Sequence, residues 1–323
     1  MTRRCIESPA VATNQHLSRS SRVISPSETR YITWHTPCKD SPVRRTSFIL
    51  LFALALVSAA IAATTEIPFE YREGLLWVKA RADRSREPVN LLLDSGAGVS
   101  VLNLTAAERL GFKTGRRIQV CGVGTTLSGY SIKPVALTAE GVQLPGPTLA
   151  VDLEKLSSSC AKPVDGLLGA DFFRGRIVQM DFDAGRLRIL SSTLAARDAD
   201  SVPLQLRPCG IRVPVTINGL KSQWVRLDTG CATALQWVTS SVRFEDCNRK
   251  PAIGLADISI PQAETTVQVG SHQFSGVPTG LHEKPMFQGE AGLLGNGLLA
   301  RFSKITIDAQ SRLLILESRP AEK

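Results

Sequence analysis

Histidine is scarce in this 323-residue chain: it has 4 in all, and only His272 and His282 lie beyond residue 63. No two of Cys121, Cys160, Cys209, Cys231 and Cys247 have Cys-x-x-Cys spacing, so the usual zinc sites are excluded. There is no Gly-Lys-Ser/Thr phosphate loop and no Gly-x-Ser-x-Gly nucleophile elbow. Gly122-Val123-Gly124 has no third glycine at the dinucleotide-binding spacing. Nucleotide chemistry, serine hydrolysis of the elbow type and metal catalysis thus lose their sequence basis, and neither a cofactor nor a metal is expected. The remaining composition, 43% hydrophobic and 21% charged with 25 Gly and 18 Pro, is that of a globular protein of about two domains.

A clustered basic patch is also missing. Lys+Arg exceed Asp+Glu by 38 to 29, but residues 1–63 hold eight basic against three acidic side chains, more than half of that excess. The other 260 positions share the rest with no Lys/Arg block, so no nucleic-acid partner is expected.

Residues 46–65 carry no charge, come after Arg44-Arg45, and include Ala59-Ala60-Ile61-Ala62-Ala63. That layout reads as a signal peptide over 43–63, cut after Ala62 or Ala63. The competing reading is an uncleaved anchor, because twenty uncharged residues just span a bilayer. Either way the flanking arginines keep the N-terminal side in the cytoplasm. The chain beyond residue 63 is expected to be periplasmic or secreted, or membrane-tethered outside the cytoplasm. The polar leader 1–42 has no apolar periodicity. It is expected to be disordered or to precede a true start at Val43, since a valine codon can serve as an alternative bacterial start. Export permits disulfides. Cys121 with Cys160, and two of Cys209, Cys231 and Cys247, are conceivable pairs, with one thiol left over.

The exported part contains an internal repeat. Residues 89–102, Val-Asn-Leu-Leu-Leu-Asp-Ser-Gly-Ala-Gly-Val-Ser-Val-Leu, match residues 223–236, Gln-Trp-Val-Arg-Leu-Asp-Thr-Gly-Cys-Ala-Thr-Ala-Leu-Gln. Each is a β-rich run ending in Leu-Asp-Ser/Thr-Gly. Downstream of each comes Gly-Leu-Leu-Gly, at 166–169 and 292–295, and then a hairpin pattern at 177–190 and 305–316 with turns at Asp183-Ala184-Gly185 and Asp308-Ala309-Gln310-Ser311. Two motifs in one order indicate duplication, with halves at 64–200 and 201–318. Most of the rest reads as short strands broken by Gly, Pro, Asn and Ser, including a hairpin with an Asn218-Gly219 turn that feeds Asp228. Helical signal is confined to 104–110 and to stretches beginning near Phe172 and Leu298. The pattern predicts an all-β fold with closed or sandwiched sheets.

One Asp-Ser/Thr-Gly triplet is ordinary turn chemistry. Two of them, each after an apolar strand and each with Gly-Leu-Leu-Gly downstream, point to paired carboxylates. Over residues 66–318 the chain resembles the aspartic peptidase family, and more closely its retropepsin-like branch with two lobes in one chain. The resemblance rests on Asp94-Ser95-Gly96-Ala97, Asp228-Thr229-Gly230-Cys231, Leu167-Leu168-Gly169 and Leu293-Leu294-Gly295. It implies two β-barrel lobes with a cleft between them, and an extended peptide or protein substrate. Asp94 and Asp228 are then the catalytic dyad. Two close carboxylates share a proton, so one deprotonates a water while the other protonates the substrate carbonyl. That chemistry needs no metal and no covalent nucleophile.

Gly96 and Gly230 would allow the two loops to approach closely. The Ser95 and Thr229 hydroxyls would bond across the junction, orient the carboxylates, or satisfy local backbone. A mobile cover is expected in residues 120–130, with Gly122 and Gly124 at its tip. Tyr130 resembles the flap tyrosine of pepsin-like members but stands outside the expected catalytic set. Cys231 departs from the small Ala or Ser usual in the family and reads as a small apolar residue. A single chain should hold the whole dyad and act as a monomer. The rival reading is a periplasmic peptide-binding or scaffold protein that keeps the fold without cutting.

Overall fold

The computed structural model describes residues 65–319, apart from 84, 86, 123–124, 194–198, 240–247 and 252–258. The leader, the signal segment, Cys247 and Gly124 lie outside the described residues. No helix among the described residues is long and apolar enough to cross a membrane.

Strands dominate because apolar and polar residues alternate over short runs rich in Val, Ile and Leu. In Gly210–Ile217 the side chains alternate between buried and half-buried positions along the strand. The adjoining Asn218-Gly219 turn has positive φ at both residues (49° and 68°), as its sequence predicts. The described strands form one sheet of 15 and one of 8. The fold is nearly all β, and the longest helix among the described residues, Leu104–Arg109, has six. Ala170–Phe172 is a 3-10 turn and Asn296–Leu299 one short helix, each at the expected place. Glu154–Ser158 is a further short helix with no counterpart in the sequence reading.

The duplicated motifs fold the same way twice. Gly166–Leu168 runs parallel to Pro88–Leu93 and antiparallel to Val101–Asn103, so it lies between the two strands that flank Asp94. Gly292–Gly295 likewise runs parallel to Gln223–Asp228 and antiparallel to Leu235–Val238, on either side of the loop after Asp228. The glycines of Gly-Leu-Leu-Gly permit these crossings. A Cβ on Gly169 would sit 2.4 Å from the Val99 carbonyl carbon, and one on Gly295 would sit 2.3 Å from the Thr233 carbonyl oxygen.

The two copies also share a sheet. Ile177–Asp181 pairs antiparallel with Phe302–Asp308, and the strands Arg186–Leu190 and Leu313–Ser318 flank that pair. Asp200–Pro203 joins the outer edge beyond Leu313–Ser318 and straddles the division expected at 200/201. The first of these hairpins turns through Asp183-Ala184-Gly185 as expected, and Asp181 Oδ1, at the end of the strand, accepts the Ala184 N–H at 2.9 Å. In the second, Asp308 Oδ1 accepts the N–H groups of Gln310 and Ser311.

One contiguous apolar core runs through both copies, from Val89, Leu91 and Leu93 to Leu227, Leu294 and Ile305. Leu168 is fully buried in it and Leu220 is 62% exposed. Leu168→Ala is expected to destabilise the protein by about 2–5 kcal/mol, and Leu220→Ala by less than about 0.5 kcal/mol. Urea unfolding of both variants measures the difference, and similar midpoints would contradict this core.

Candidate active site

Each triplet begins where an apolar strand ends. Leu91, Leu92 and Leu93 are buried, and the Asp94 N–H is held by the Leu168 carbonyl at 2.9 Å. The chain then turns sharply. The Asp94 carboxylate oxygen Oδ1 accepts the N–H groups of Gly96 (3.0 Å) and Ala97 (2.9 Å). Asp228 Oδ1 accepts that of Gly230 at 3.0 Å. The strands of the Gly-Leu-Leu-Gly blocks lead into residues that fix the loop backs: the Ala170 N–H donates to the Ala97 carbonyl, and the Asn296 N–H to the Cys231 carbonyl.

The two loops are bonded to each other by a reciprocal set of four hydrogen bonds. The Ser95 hydroxyl donates to the Leu227 carbonyl (2.7 Å) and accepts the Thr229 N–H (3.1 Å). The Thr229 hydroxyl donates to the Leu93 carbonyl (2.9 Å) and accepts the Ser95 N–H (2.9 Å). Both side chains are fully buried. Of the three uses expected for these hydroxyls, bonding across the junction is the one observed. The glycines serve the same approach. A Cβ on Gly96 would lie 2.5 Å from the Asp228 carboxyl carbon, and one on Gly230 would lie 2.5 Å from that of Asp94.

The carboxyls of Asp94 and Asp228 therefore meet across the junction, each against the other loop's glycine. Burial raises the pKa of both. Asp228, only 8% exposed, is pushed up to about 8 by burial first and by the neighbouring Asp94 charge second. Asp94 is also raised by burial, but two backbone N–H groups oppose the rise. Two carboxyls this close titrate as a pair.

Several residues at the junction carry no sequence signal. Arg226 is buried, bonds the Glu290 carboxylate through Nε and Nη2, and reaches the first loop at the Gly96 carbonyl. The Asn296 amide donates to the carbonyls of Gly74 and Thr229, both at 2.7 Å. Asp171 accepts the Ser100 N–H and hydroxyl, bracing the first loop from behind. Spacing does not reveal these roles, because each partner lies far along the chain.

The candidate flap is a hairpin, Arg117–Gly122 with Thr125–Ser131, and Gly122 ends its first strand. Val120 and Leu127 pack on an apolar cluster of Leu75, Trp77 and Leu92 that also touches Ala97 and Ala232, next to the two triplets. Tyr130 sits opposite Arg117 at the foot of the hairpin, away from the tip. Cys121, Cys160, Cys209 and Cys231 are all free thiols, so the conceivable Cys121–Cys160 bridge is not formed. Burial, then the Asp228 charge, pushes the Cys231 thiol up to about 12, which keeps it neutral as a small packing group.

Comparison with known proteins agrees with this geometry. Residues 78–172 match the aspartyl protease family model. The fold is similar to that of the aspartic proteinase from Irpex lacteus, with a TM-score of 0.52 and 12% identity over 79% of this chain and 97% of that one. No curated protein matches the sequence.

Two outcomes are expected from this site. Because the Asp228 pKa is raised in the folded state, its contribution to stability is complete below about 3.8 and is lost as pH rises toward about 8. Asp228→Asn removes that dependence, so its melting temperature relative to wild type should climb between pH 4 and pH 8. A difference that stays flat across this range would contradict the raised pKa. In native protein at neutral pH, iodoacetamide should label the exposed Cys121 and Cys209 and leave Cys231 unmodified until denaturation, as peptide mass mapping would show.

Proposed function

We propose that this member of the aspartic peptidase family is an exported endopeptidase whose Asp94 and Asp228 act on a single bound water. The observation that carries the reading is the reciprocal junction. Two carboxylates face each other, each beside the other loop's glycine, and four hydroxyl bonds join the loops. A protein that only bound peptides would gain nothing from holding two like charges together.

In the proposed reaction the ionised Asp94 takes a proton from the water, whose oxygen attacks the peptide carbonyl carbon. Asp228 gives its proton to the carbonyl oxygen, and a tetrahedral diol forms. The diol returns a proton to Asp228 as the C–N bond breaks, while Asp94 delivers its proton to the departing nitrogen. The pair ends with one proton, as it began. The substrate lies extended in the cleft between two lobes, proposed as residues 64–200 and 201–318, under the hairpin Arg117–Ser131. The same chain supplies both aspartates, so a monomer suffices. The arginine-flanked apolar segment 43–63 supports export, with membrane attachment if it is not cleaved.

Since one proton must reside on the pair, kcat/KM should fall both at low pH, where Asp94 becomes protonated, and as pH rises through about 8, where Asp228 ionises. Cleavage of a diverse peptide library from acid to neutral pH tests the reading. Asp94→Asn and Asp228→Asn should each lose about 10²–10⁴-fold in activity while staying folded. A wild type that binds peptides without cutting, with both variants binding equally, would establish the scaffold reading instead.

A further inference from the structure

The internal repeat leaves an imbalance at one position. Two residues before Asp94 stands Leu92; two residues before Asp228 stands Arg226. Arg226 is 4% exposed, and its guanidinium uses every direction. Nε and Nη2 grip Glu290 at 2.7 and 2.9 Å, and the plane lies 3.5 Å over the Phe287 ring. Nη1 donates to the Gly96 carbonyl at 2.7 Å and to the Cys209 carbonyl at 3.0 Å. Glu290 is held from the other side by Arg212 Nε at 2.8 Å, so the cluster is two cations around one carboxylate.

The Gly96 carbonyl belongs to the same planar peptide as the Ala97 N–H. That N–H is the second donor to Asp94 Oδ1. Fixing the carbonyl therefore fixes the donor. In the second loop the side-chain clamp falls one peptide earlier, where Asn296 holds the Thr229 carbonyl and so fixes the Gly230 N–H, while the Cys231 N–H reaches only the Asp228 main-chain carbonyl, at 3.2 Å. Asp94 thus has two N–H donors to its carboxylate and Asp228 has one.

We propose that Arg226 is a positioning residue that assigns the two roles in the dyad, by clamping the Gly96–Ala97 peptide so that its N–H stays on Asp94 and Asp94 is the carboxylate left ionised. The charged and titratable groups around this clamp are Glu290 and Arg212 behind it, Cys209 beside it, and Asp94, Asp228 and the Cys231 thiol in front. Arg226 is buried against the first loop. It acts through the loop and through its charge, which lowers the pKa of both aspartates. The inference rests on the peptidase reading for its kinetic half alone.

The test compares wild type, Arg226→Gln and Arg226→Lys by thermal melting, by kcat and KM against pH, and by pH titration of carboxyl-13C-labelled aspartate in NMR. Arg226→Gln should remain folded, since Arg212 still pairs Glu290. Its kcat should fall about 10–100-fold with KM within about threefold, and the acid limb of its profile should rise by about one pH unit, together with the Asp94 carboxyl titration. A lysine ammonium is a single point and cannot hold Glu290 and the Gly96 carbonyl in one fork. Arg226→Lys should therefore show at least half of that shift. No shift in Arg226→Gln overturns the proposal, and so does full restoration by lysine, which would leave charge alone as the cause. If Arg226→Gln does not fold, the lysine variant decides by the same readings. A wild type without cleavage would overturn the peptidase reading and leave the NMR titration to judge the clamp.

Discussion

Two carboxylates held together in a buried site repel strongly. At about 4 Å and an effective dielectric near 20 the repulsion is about 4 kcal/mol. Everything around Asp94 and Asp228 answers to that constraint. A shared proton removes most of the repulsion, and the reciprocal hydroxyl bonds of Ser95 and Thr229 supply the attraction that keeps the loops in place. The absent side chains matter equally, since any Cβ on Gly96 or Gly230 would occupy the space of the opposite carboxyl. The Gly-Leu-Leu-Gly strands then hold each loop from behind, each lying between the two strands that flank it.

Duplication alone would give two equal acids, whereas acid–base chemistry on one water needs one proton donor and one acceptor. The asymmetry enters through a few positions where the copies differ. Leu92 faces Arg226 across the repeat, Ala170 faces Asn296, and Ala97 faces Cys231. In each pair the second copy has the more polar residue. Arg226 and Asn296 reach into the first copy, at the carbonyls of Gly96 and Gly74. The second loop thereby holds the first, and the first receives the additional donor on its carboxylate. The buried Arg226–Glu290 pair is weak support for stability in itself, because desolvation offsets much of its attraction. Its geometric effect on the neighbouring peptide is the more informative property.

What the sequence made legible is what short-range chemistry dictates. The Asp-Ser/Thr-Gly turns, the apolar strands before them and the Asn218-Gly219 hairpin each depend on residues within a few positions, and all three formed as read. The hidden part is long-range. Glu290 meets Arg226 from 64 residues away, and Asn296 meets Gly74 from 222. Nothing at either end marks the other. Cys121 and Cys160 invited pairing by their place in the same half, yet both are free.

The magnitudes say why the proton cannot be spared. Each hydroxyl bond across the junction contributes about 0.5–1.5 kcal/mol net, so four give about 2–6 kcal/mol. That is the same size as the repulsion between two bare carboxylates, and it would leave the junction with no margin if both were ionised. Binding one proton shifts the balance decisively toward closure, which is the physical content of the raised Asp228 pKa. The proton that would serve as the catalytic acid is thus also part of what closes the junction. A site built this way favours the protonation state its chemistry requires, and it does so from the folding energy of two loops.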